Sequence, residues 1–326
     1  MSARVLPPRE QLTVLFAHVA YRMSERFALR DTGLRHIEVR SPEELAARIG
    51  EAHVLSISGL WRNELLPRAG NLAFIQSISA GTDQYDREAL RAAGVRLASA
   101  QGVNARAVAE HAMALTLALA RQLHVARDNQ AQRHWRGMIS DLDQREDELG
   151  GKTLLIVGLG RIGAHLAGLA RAFGMYVVGA KRDVTSGAEA ADEVIPQSRV
   201  MAHLPQADVV ALTCPLTPET ERLIDGSALA AMKPSAFLVN VARGRVVDEA
   251  ALVAALKEGR IAGAGIDTTV EEPLPAASPL WALPNALITP HTAGETRRYE
   301  DNVLDLLLEN LERLWRGETE IRNQVV

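Results

Sequence analysis

The chain of 326 residues holds one cysteine, Cys214. A single thiol excludes an internal disulfide framework and fits a reducing compartment. No run of about 18 apolar residues occurs, so no membrane span is expected. The N-terminal stretch is interrupted by Pro7, Pro8, Arg9 and Glu10 before a signal-peptide core can form, which makes a cytoplasmic protein the expectation. Neither sign of charge dominates: 36 basic against 40 acidic residues leave a net charge of −4. That balance gives no electrostatic reason to expect nucleic acid or an anionic membrane as partner, so the ligand is expected to be small. No His, Cys, Asp and Glu spacing suggests a metal site, and no internal repeat or low-complexity tract is found.

What the chain does have is apolar mass. Hydrophobic residues make up 47%, ample for two cores at the usual domain size of roughly 150 residues. Apolar runs with strand character at 12–16, 53–57, 74–78 and 95–98 alternate with helical stretches at 42–49 and 87–93, the signature of a parallel sheet covered by helices. A helical pattern at 105–127 is apolar over much of its circumference, which suggests burial between domains or subunits. Within it, His111 reads as a structural or interface residue. The acidic, glycine-bounded segment 141–151 reads as a solvated connection.

Beyond that connection lies GLGRIG: Gly158, Leu159, Gly160, Arg161, Ile162 and Gly163. A GxGxxG alone is weak evidence, but here an apolar strand pattern (152–157) precedes it, a helical pattern (164–173) follows, and a second strand pattern (175–180) completes a βαβ unit. In such a unit Gly158 permits the tight turn, Gly160 lets a pyrophosphate approach the backbone, and Gly163 lets helix and strand pack closely. The helix N-terminus then offers N–H groups to the phosphates. Further strand patterns at 209–213, 237–241, 263–268 and 286–289, three of them ending at Cys214-Pro215, Ala242-Arg243 and Pro290-His291, place polar or special residues at the edge where open α/β sheets bind ligands. An amphipathic helical pattern at 300–316 suggests that the chain returns to its first domain.

Arg243, Glu272 and His291 form the chemical constellation. Reduction of a 2-keto acid needs a cation for the substrate carboxylate, which the planar Arg243 guanidinium supplies. It needs a proton donor for the carbonyl oxygen, which His291 supplies. A carboxylate beside the imidazole, Glu272, would stabilise its protonated form and orient the ring. Each residue also has a plainer reading: Arg243 as a partner of the acidic Asp248-Glu249 region, Glu272 as a solvated loop carboxylate, His291 as a turn histidine after Pro290.

The motifs SAGTDQYD (79–86), GVNARAVAEHAMALTLALAR (102–121), GGKTLLIVGLGRIG, PLTPETERLI, MKPSAFLVNVARGRVVDEAALVAAL, GAGIDTTVEEPLP and TPHTAG resemble, in this order and across nearly the whole length, the D-isomer-specific 2-hydroxyacid dehydrogenase family. The resemblance implies an α/β fold of two Rossmann-like, flavodoxin-like domains with parallel sheets and an active site in the cleft between them. Residues 1–103 and 294–326 would form the substrate domain, and 104–293 an NAD(P)-binding Rossmann domain. It places Arg243, Glu272 and His291 at the catalytic positions and Asp267 at the nicotinamide carboxamide. Ser79, Ala80 and Gly81 would hold the substrate carboxylate, while Cys214, Pro215, Val241, Ala242 and Gly294 would line the cofactor. It further implies a homodimer joined through the Rossmann domain. The activity implied is NAD(P)H-dependent reduction of a small 2-keto acid, of the glyoxylate or hydroxypyruvate kind, to the D-2-hydroxy acid. Two other readings stay open: a dinucleotide-sensing, corepressor-like binding protein and a short phosphoglycerate dehydrogenase.

One position departs from the NAD pattern. Where an acidic residue is expected about 20 residues past the glycines, the chain has Lys181 and Arg182. These cations would attract a 2′-phosphate, so NADP(H) is favoured over NAD(H), with Thr185 or Ser186 as helpers; the alternative is that Asp183 binds the ribose of NAD. In the loop 56–65, Trp61 and Arg62 read either as shaping a substrate pocket or, for Trp61, as ordinary packing.

Overall fold

The computed structural model describes residues 4–185 and 191–326, apart from the side chain of Asp143. The chain divides into two compact units, Met1–Asn104 with Thr296–Val326, and Ala105–Glu295.

The first unit is built on a five-stranded parallel sheet: β1 (Thr13–Ala17), β2 (Arg35–Val39), β3 (Val54–Ile57), β4 (Phe74–Ser77) and β5 (Arg96–Ala98), in the order β2-β1-β3-β4-β5. This is the flavodoxin-like order. Strand alternation divides its apolar residues between two cores. Val14 and Phe16 face one cluster with Met23 and Phe27 of α1 (Met23–Ala28) and with Val303, Leu304, Leu307 and Leu311 of α10 (Tyr299–Trp315). Leu15 and Ala17 face the other, with Leu45 of α2 (Pro42–Arg48) and Leu90 of α3 (Arg87–Ala92). Ser41 and Asp86 cap α2 and α3 by accepting from Glu44 N–H and Ala89 N–H. Trp61 is 1% exposed, packs beside Tyr85 and donates from Nε1 to Asn63. It is therefore core, and the pocket-lining reading of Trp61 falls away. Arg62 stays exposed and bonds to the carbonyls of Gly59 and Trp61.

The second unit carries seven parallel strands: β6 (Thr153–Val157), β7 (Tyr176–Lys181), β8 (Glu193–Pro196), β9 (Val209–Leu212), β10 (Phe237–Asn240), β11 (Gly263–Ile266) and β12 (Ala286–Ile288). Their order, β12-β11-β10-β9-β6-β7-β8, is the doubly wound Rossmann arrangement with one added strand, and its switch point lies between β6 and β9. Alternation again sorts the strands: Leu154 and Ile156 face α4 (Ala105–Ala120) and α6 (Arg161–Ala172), whereas Leu155 and Val157 face α8 (Gly226–Ala231) and α9 (Glu249–Lys257). Helix α7 (Val200–His203) is a single turn.

The long helical pattern is corrected by the structure. It is two helices, α4 and α5 (Leu123–Ala131), separated by Gln122 in the left-handed conformation at φ 48°. His124 closes the end of α4 by donating from Nδ1 to the Ala118 carbonyl. The apolar circumference of α4 is accounted for inside its own unit. Glycines on β11 admit it: a Cβ on Gly265 would lie 2.9 Å from Cβ of Leu115, and one on Gly263 would lie 3.3 Å from Leu119.

Candidate active site

At the switch point, the turn after β6 is built from glycines in different roles. Gly158 has φ +106°, and a Cβ there would lie 2.6 Å from the Cys214 backbone. A Cβ on Gly163 would lie 2.5 Å from the Gly158 carbonyl, so close packing of α6 against the turn requires glycine there too. Around Gly160 nothing lies within 4 Å of the Cβ direction. Two glycines are thus demanded by the protein's own backbone, and the third leaves an open face. The helix begins at Arg161, three residues before its sequence pattern, and Gly160 as N-cap supplies no side-chain acceptor to the first turn that includes Ile162 and Gly163. This cradle fits a dinucleotide pyrophosphate.

Around it, Thr213 donates to the Gly158 carbonyl at 2.8 Å. Cys214 is buried, and burial pushes its thiol up to about 11, which makes it a packing residue rather than a nucleophile. Pro215 is exposed, Val241 and Ala242 are buried after β10, and Gly294 is half-buried. At the end of β7, Arg182 is exposed; hydrogen bonding to Thr217 and to its own N–H holds the Glu219 carboxyl below its usual range, with a smaller contribution from the charge of Arg182. Thr185 donates its N–H and hydroxyl to Asp183 Oδ1, at 3.0 and 2.6 Å. Ser186 lies outside the described residues.

The strands β10, β11 and β12 pair in register, Asn240 with Ile266 and Ile266 with Ile288, so their following loops emerge side by side. Those loops carry Arg243, Glu272 and His291. Gly244 brings the first two together: a Cβ there would lie 2.0 Å from the Thr269 backbone. Thr269 N–H in turn donates to Glu272 Oε1 at 3.1 Å, and Glu272 Oε2 lies 2.7 Å from His291 Nδ1. A carboxylate only accepts, so His291 Nδ1 carries the proton and is committed to Glu272. The Arg243 guanidinium is exposed and donates to its own loop's Ala242 carbonyl at 2.7 Å. His291 is held at φ +55°, a conformation that costs a non-glycine residue about 1–3 kcal/mol. Bonds from its N–H to the carbonyls of Asp267 (2.8 Å) and Thr289 (3.0 Å) hold it there.

Sequence reasoning missed three supports of these loops. Asn240, buried at the end of β10, accepts from Ala242 N–H and donates to the Arg243 carbonyl. Glu249 accepts from Val270 N–H at 2.9 Å. Thr289 donates to Asp267 Oδ1 at 2.6 Å. The only signal for Asn240 was an amide closing an otherwise apolar strand. In the first unit, Ser79 is locked by Ser77, whose hydroxyl donates to the Ser79 carbonyl, and Tyr299 donates to the Ile78 carbonyl. Among the described residues no group accepts from the N–H of Ala80 or Gly81. Among the described residues, too, no helix is long and apolar enough to cross a membrane, and no group of three or more His, Cys, Asp or Glu could hold a metal.

A Rossmann sheet whose glycine turn leaves one face open defines the class, a dinucleotide-binding α/β protein. The model of the D-isomer-specific 2-hydroxyacid dehydrogenase NAD binding domain matches residues 113–293. The chain is similar to the D-3-phosphoglycerate dehydrogenase of Mycobacterium tuberculosis, 37% identical over 271 residues, which is 82% of this chain but 50% of that enzyme. The chain thus spans half the length of that relative. It is 36% identical over 274 residues to the glyoxylate reductase of Pyrococcus furiosus, covering 82% of this chain and 80% of the relative. Among solved structures, a D-isomer-specific 2-hydroxyacid dehydrogenase family protein from Aeromonas salmonicida superposes with a TM-score of 0.85 at 32% identity, covering 97% of this chain and 99% of the other. The chain belongs to the D-isomer-specific 2-hydroxyacid dehydrogenase family.

Proposed function

We propose that the protein reduces small 2-keto acids to D-2-hydroxy acids, that NADP(H) is favoured over NAD(H), and that glyoxylate and hydroxypyruvate are its first candidate substrates. The observation that carries this reading is the 2.7 Å pair of His291 and Glu272, the latter on a loop packed closely against Gly244 beside Arg243. The nicotinamide, when bound, supplies the hydride. Nε2 of His291 gives its proton to the substrate's carbonyl oxygen as that oxygen becomes a hydroxyl, and Glu272 stabilises the charged ring from Nδ1 beforehand. Arg243 turns its fork from the Ala242 carbonyl to the substrate carboxylate. Backbone groups of Ser79, Ala80 and Gly81 are the candidate holders of the substrate carboxylate. Asp267 would hold the nicotinamide carboxamide, and Cys214, Pro215, Val241, Ala242 and Gly294 would line the cofactor. A relative named glyoxylate reductase supports the substrate choice; the one named D-3-phosphoglycerate dehydrogenase keeps a phosphorylated hydroxy acid on the test panel.

Lys181 and Arg182, with the Asp183 carboxylate engaged by Thr185, support a 2′-phosphate at the adenosine ribose. The protein acts as a homodimer in the cytoplasm, where its one thiol stays reduced. Helix α5 buries none of its residues, and Trp135 and Met138 beyond it are 97% and 100% exposed. Beside them lies a groove of about 620 Å³ lined by Val125, Ala126, Asn129 and Trp135. Apolar exposure of this kind marks a surface that another chain covers.

The test is oxidation of NADPH and NADH by the purified protein across a panel of 2-keto acids. A higher kcat/KM with NADPH, lost selectively in the Lys181→Ala/Arg182→Ala double variant, is expected. An NADH preference overturns the cofactor choice. Tight cofactor binding with no turnover on any keto acid overturns the activity. Size-exclusion chromatography with light scattering gives the assembly state, and a monomer at micromolar concentration overturns the dimer.

A further inference from the structure

His111 is tied to the loop that carries His291. Its Nε2 lies 2.9 Å from the Thr289 hydroxyl and 3.5 Å from Asp267 Oδ1. Asp267 is 2% exposed, and its carboxylate is surrounded by donors: the Thr289 hydroxyl at 2.6 Å and Thr292 N–H at 3.0 Å on Oδ1, and Ala293 N–H at 3.2 Å on Oδ2. A buried carboxylate is tolerated only with such compensation. The loop that runs from Thr289 to Ala293 is therefore wrapped around this one side chain, with His291 at its middle.

The direction of each bond follows from proton counting. An ionised carboxylate can only accept, so Thr289 gives its single hydroxyl proton to Asp267. The Thr289 oxygen can then only accept from His111, which fixes a proton on His111 Nε2. The chain runs one way, from imidazole N–H to hydroxyl to carboxylate. His111 stands on α4 and Thr289 follows β12, so the helix fixes, from outside, the hydroxyl that clamps Asp267. Asp267 holds His291 twice over, through its carbonyl to the His291 N–H and through its carboxylate to the residues that follow.

We propose that His111 is a positioning residue: by donating from Nε2 to Thr289 it orients the clamp on Asp267 and keeps His291 in its left-handed, proton-delivering pose. The inference rests on the reading of His291 as the acid of keto-acid reduction. It predicts that removing the donor loosens the pose without removing any group that touches substrate.

The experiment compares His111→Leu and Thr289→Val, which break the relay, with His111→Gln and Thr289→Ser, which keep a donor and a hydroxyl. Each is assayed for kcat, keto-acid KM and Tm, alone and in a His291→Asn background. The expected result is a fall in kcat of about 10- to 100-fold in the first two, as for a small misplacement of a reacting group. Keto-acid KM is held within about threefold, on the reading that uniform substrate binding is left intact. The conservative pair retains most of the activity, and no further loss follows once His291 is already Asn. Two variants on different elements guard against one failing to fold. If His291→Asn slows reduction strongly but leaves measurable turnover, and His111→Leu and Thr289→Val lower only Tm, or lose kcat equally in the His291→Asn background, the positioning role is overturned while the acid assignment stands. If His291→Asn itself reduces keto acids at the wild-type rate, the acid assignment falls and takes this inference with it.

Discussion

His291 Nδ1 and Glu272 Oε2 are 2.7 Å apart, while the other oxygen of the same carboxylate accepts from Thr269 N–H. Both oxygens are committed, which makes the isosteric Glu272→Gln variant informative. If its amide oxygen keeps the Thr269 bond, its NH2 group faces His291 Nδ1, and a ring protonated on both nitrogens meets a donor instead of an acceptor. Reduction is expected to slow by about 100-fold, the usual scale of a lost acid-base contribution, with Tm little changed because the site is exposed. Steady-state kinetics beside a melting curve check this, and a wild-type kcat in Glu272→Gln would sink the pairing as a source of catalysis.

Arg243 makes a different prediction. Among the described residues its guanidinium bonds only locally, to the Ala242 carbonyl, so its loss leaves the fold intact. Arg243→Lys keeps the charge but not the fork, and is expected to raise the keto-acid KM by about tenfold. Arg243→Ala is expected to lower kcat/KM by about 100-fold, the scale of a hydrogen bond to a charged group. Cofactor affinity measured by fluorescence titration should not move in either.

The three glycines of the turn separate structure from cofactor binding. Gly160→Ala introduces a methyl group into open space, so Tm should hold while affinity for NADPH falls at least tenfold, since the methyl occupies room that the pyrophosphate needs. Gly158→Ala combines a φ of +106° with a 2.6 Å clash and should cost about 3 kcal/mol or more. Calorimetry of both variants, apo and with NADPH, distinguishes them; equal destabilisation would count against the open face as a ligand site.

Cys214 supplies the pH test. Burial pushes its thiol from an ordinary 9.0 up to about 11, so at pH 8 it should resist iodoacetamide in the folded protein and react freely in urea. The folded state keeps a proton that the unfolded chain releases above about pH 9, so this group's contribution to stability declines as pH rises from there to about 11. Urea midpoints of the protein and of Cys214→Ala across that range should converge; parallel curves would contradict the shift.

The sheets were legible because their central strands are buried on both faces and read as unbroken apolar runs, such as TLLIV before the glycines. Of the edge strands, β5 and β12 were read as well, at 95–98 and 286–289, but β2 and β8 were not. RHIEV of β2 and EVIP of β8 carry charges or proline on partly exposed positions and look like loops. The break at Gln122 was hidden because the apolar period continues through it, and only the His124 contact with the end of α4 reveals the stop. Arg243, Glu272 and His291 were found because each loop follows a readable strand. Asn240, Thr289 and His111 were not assigned to the site because their partners are set by tertiary packing: His111 and Thr289 are 178 positions apart along the chain.

That one left-handed residue has a reach beyond its own turn. Everything from Leu123 to the exposed Trp135 and Met138 leaves α4 on a bearing set by two backbone torsions at Gln122, φ 48° and ψ 36°. Glycine there would preserve the bearing, whereas valine or isoleucine would be forced back toward right-handed geometry and would swing that tryptophan and methionine to a new address on the surface.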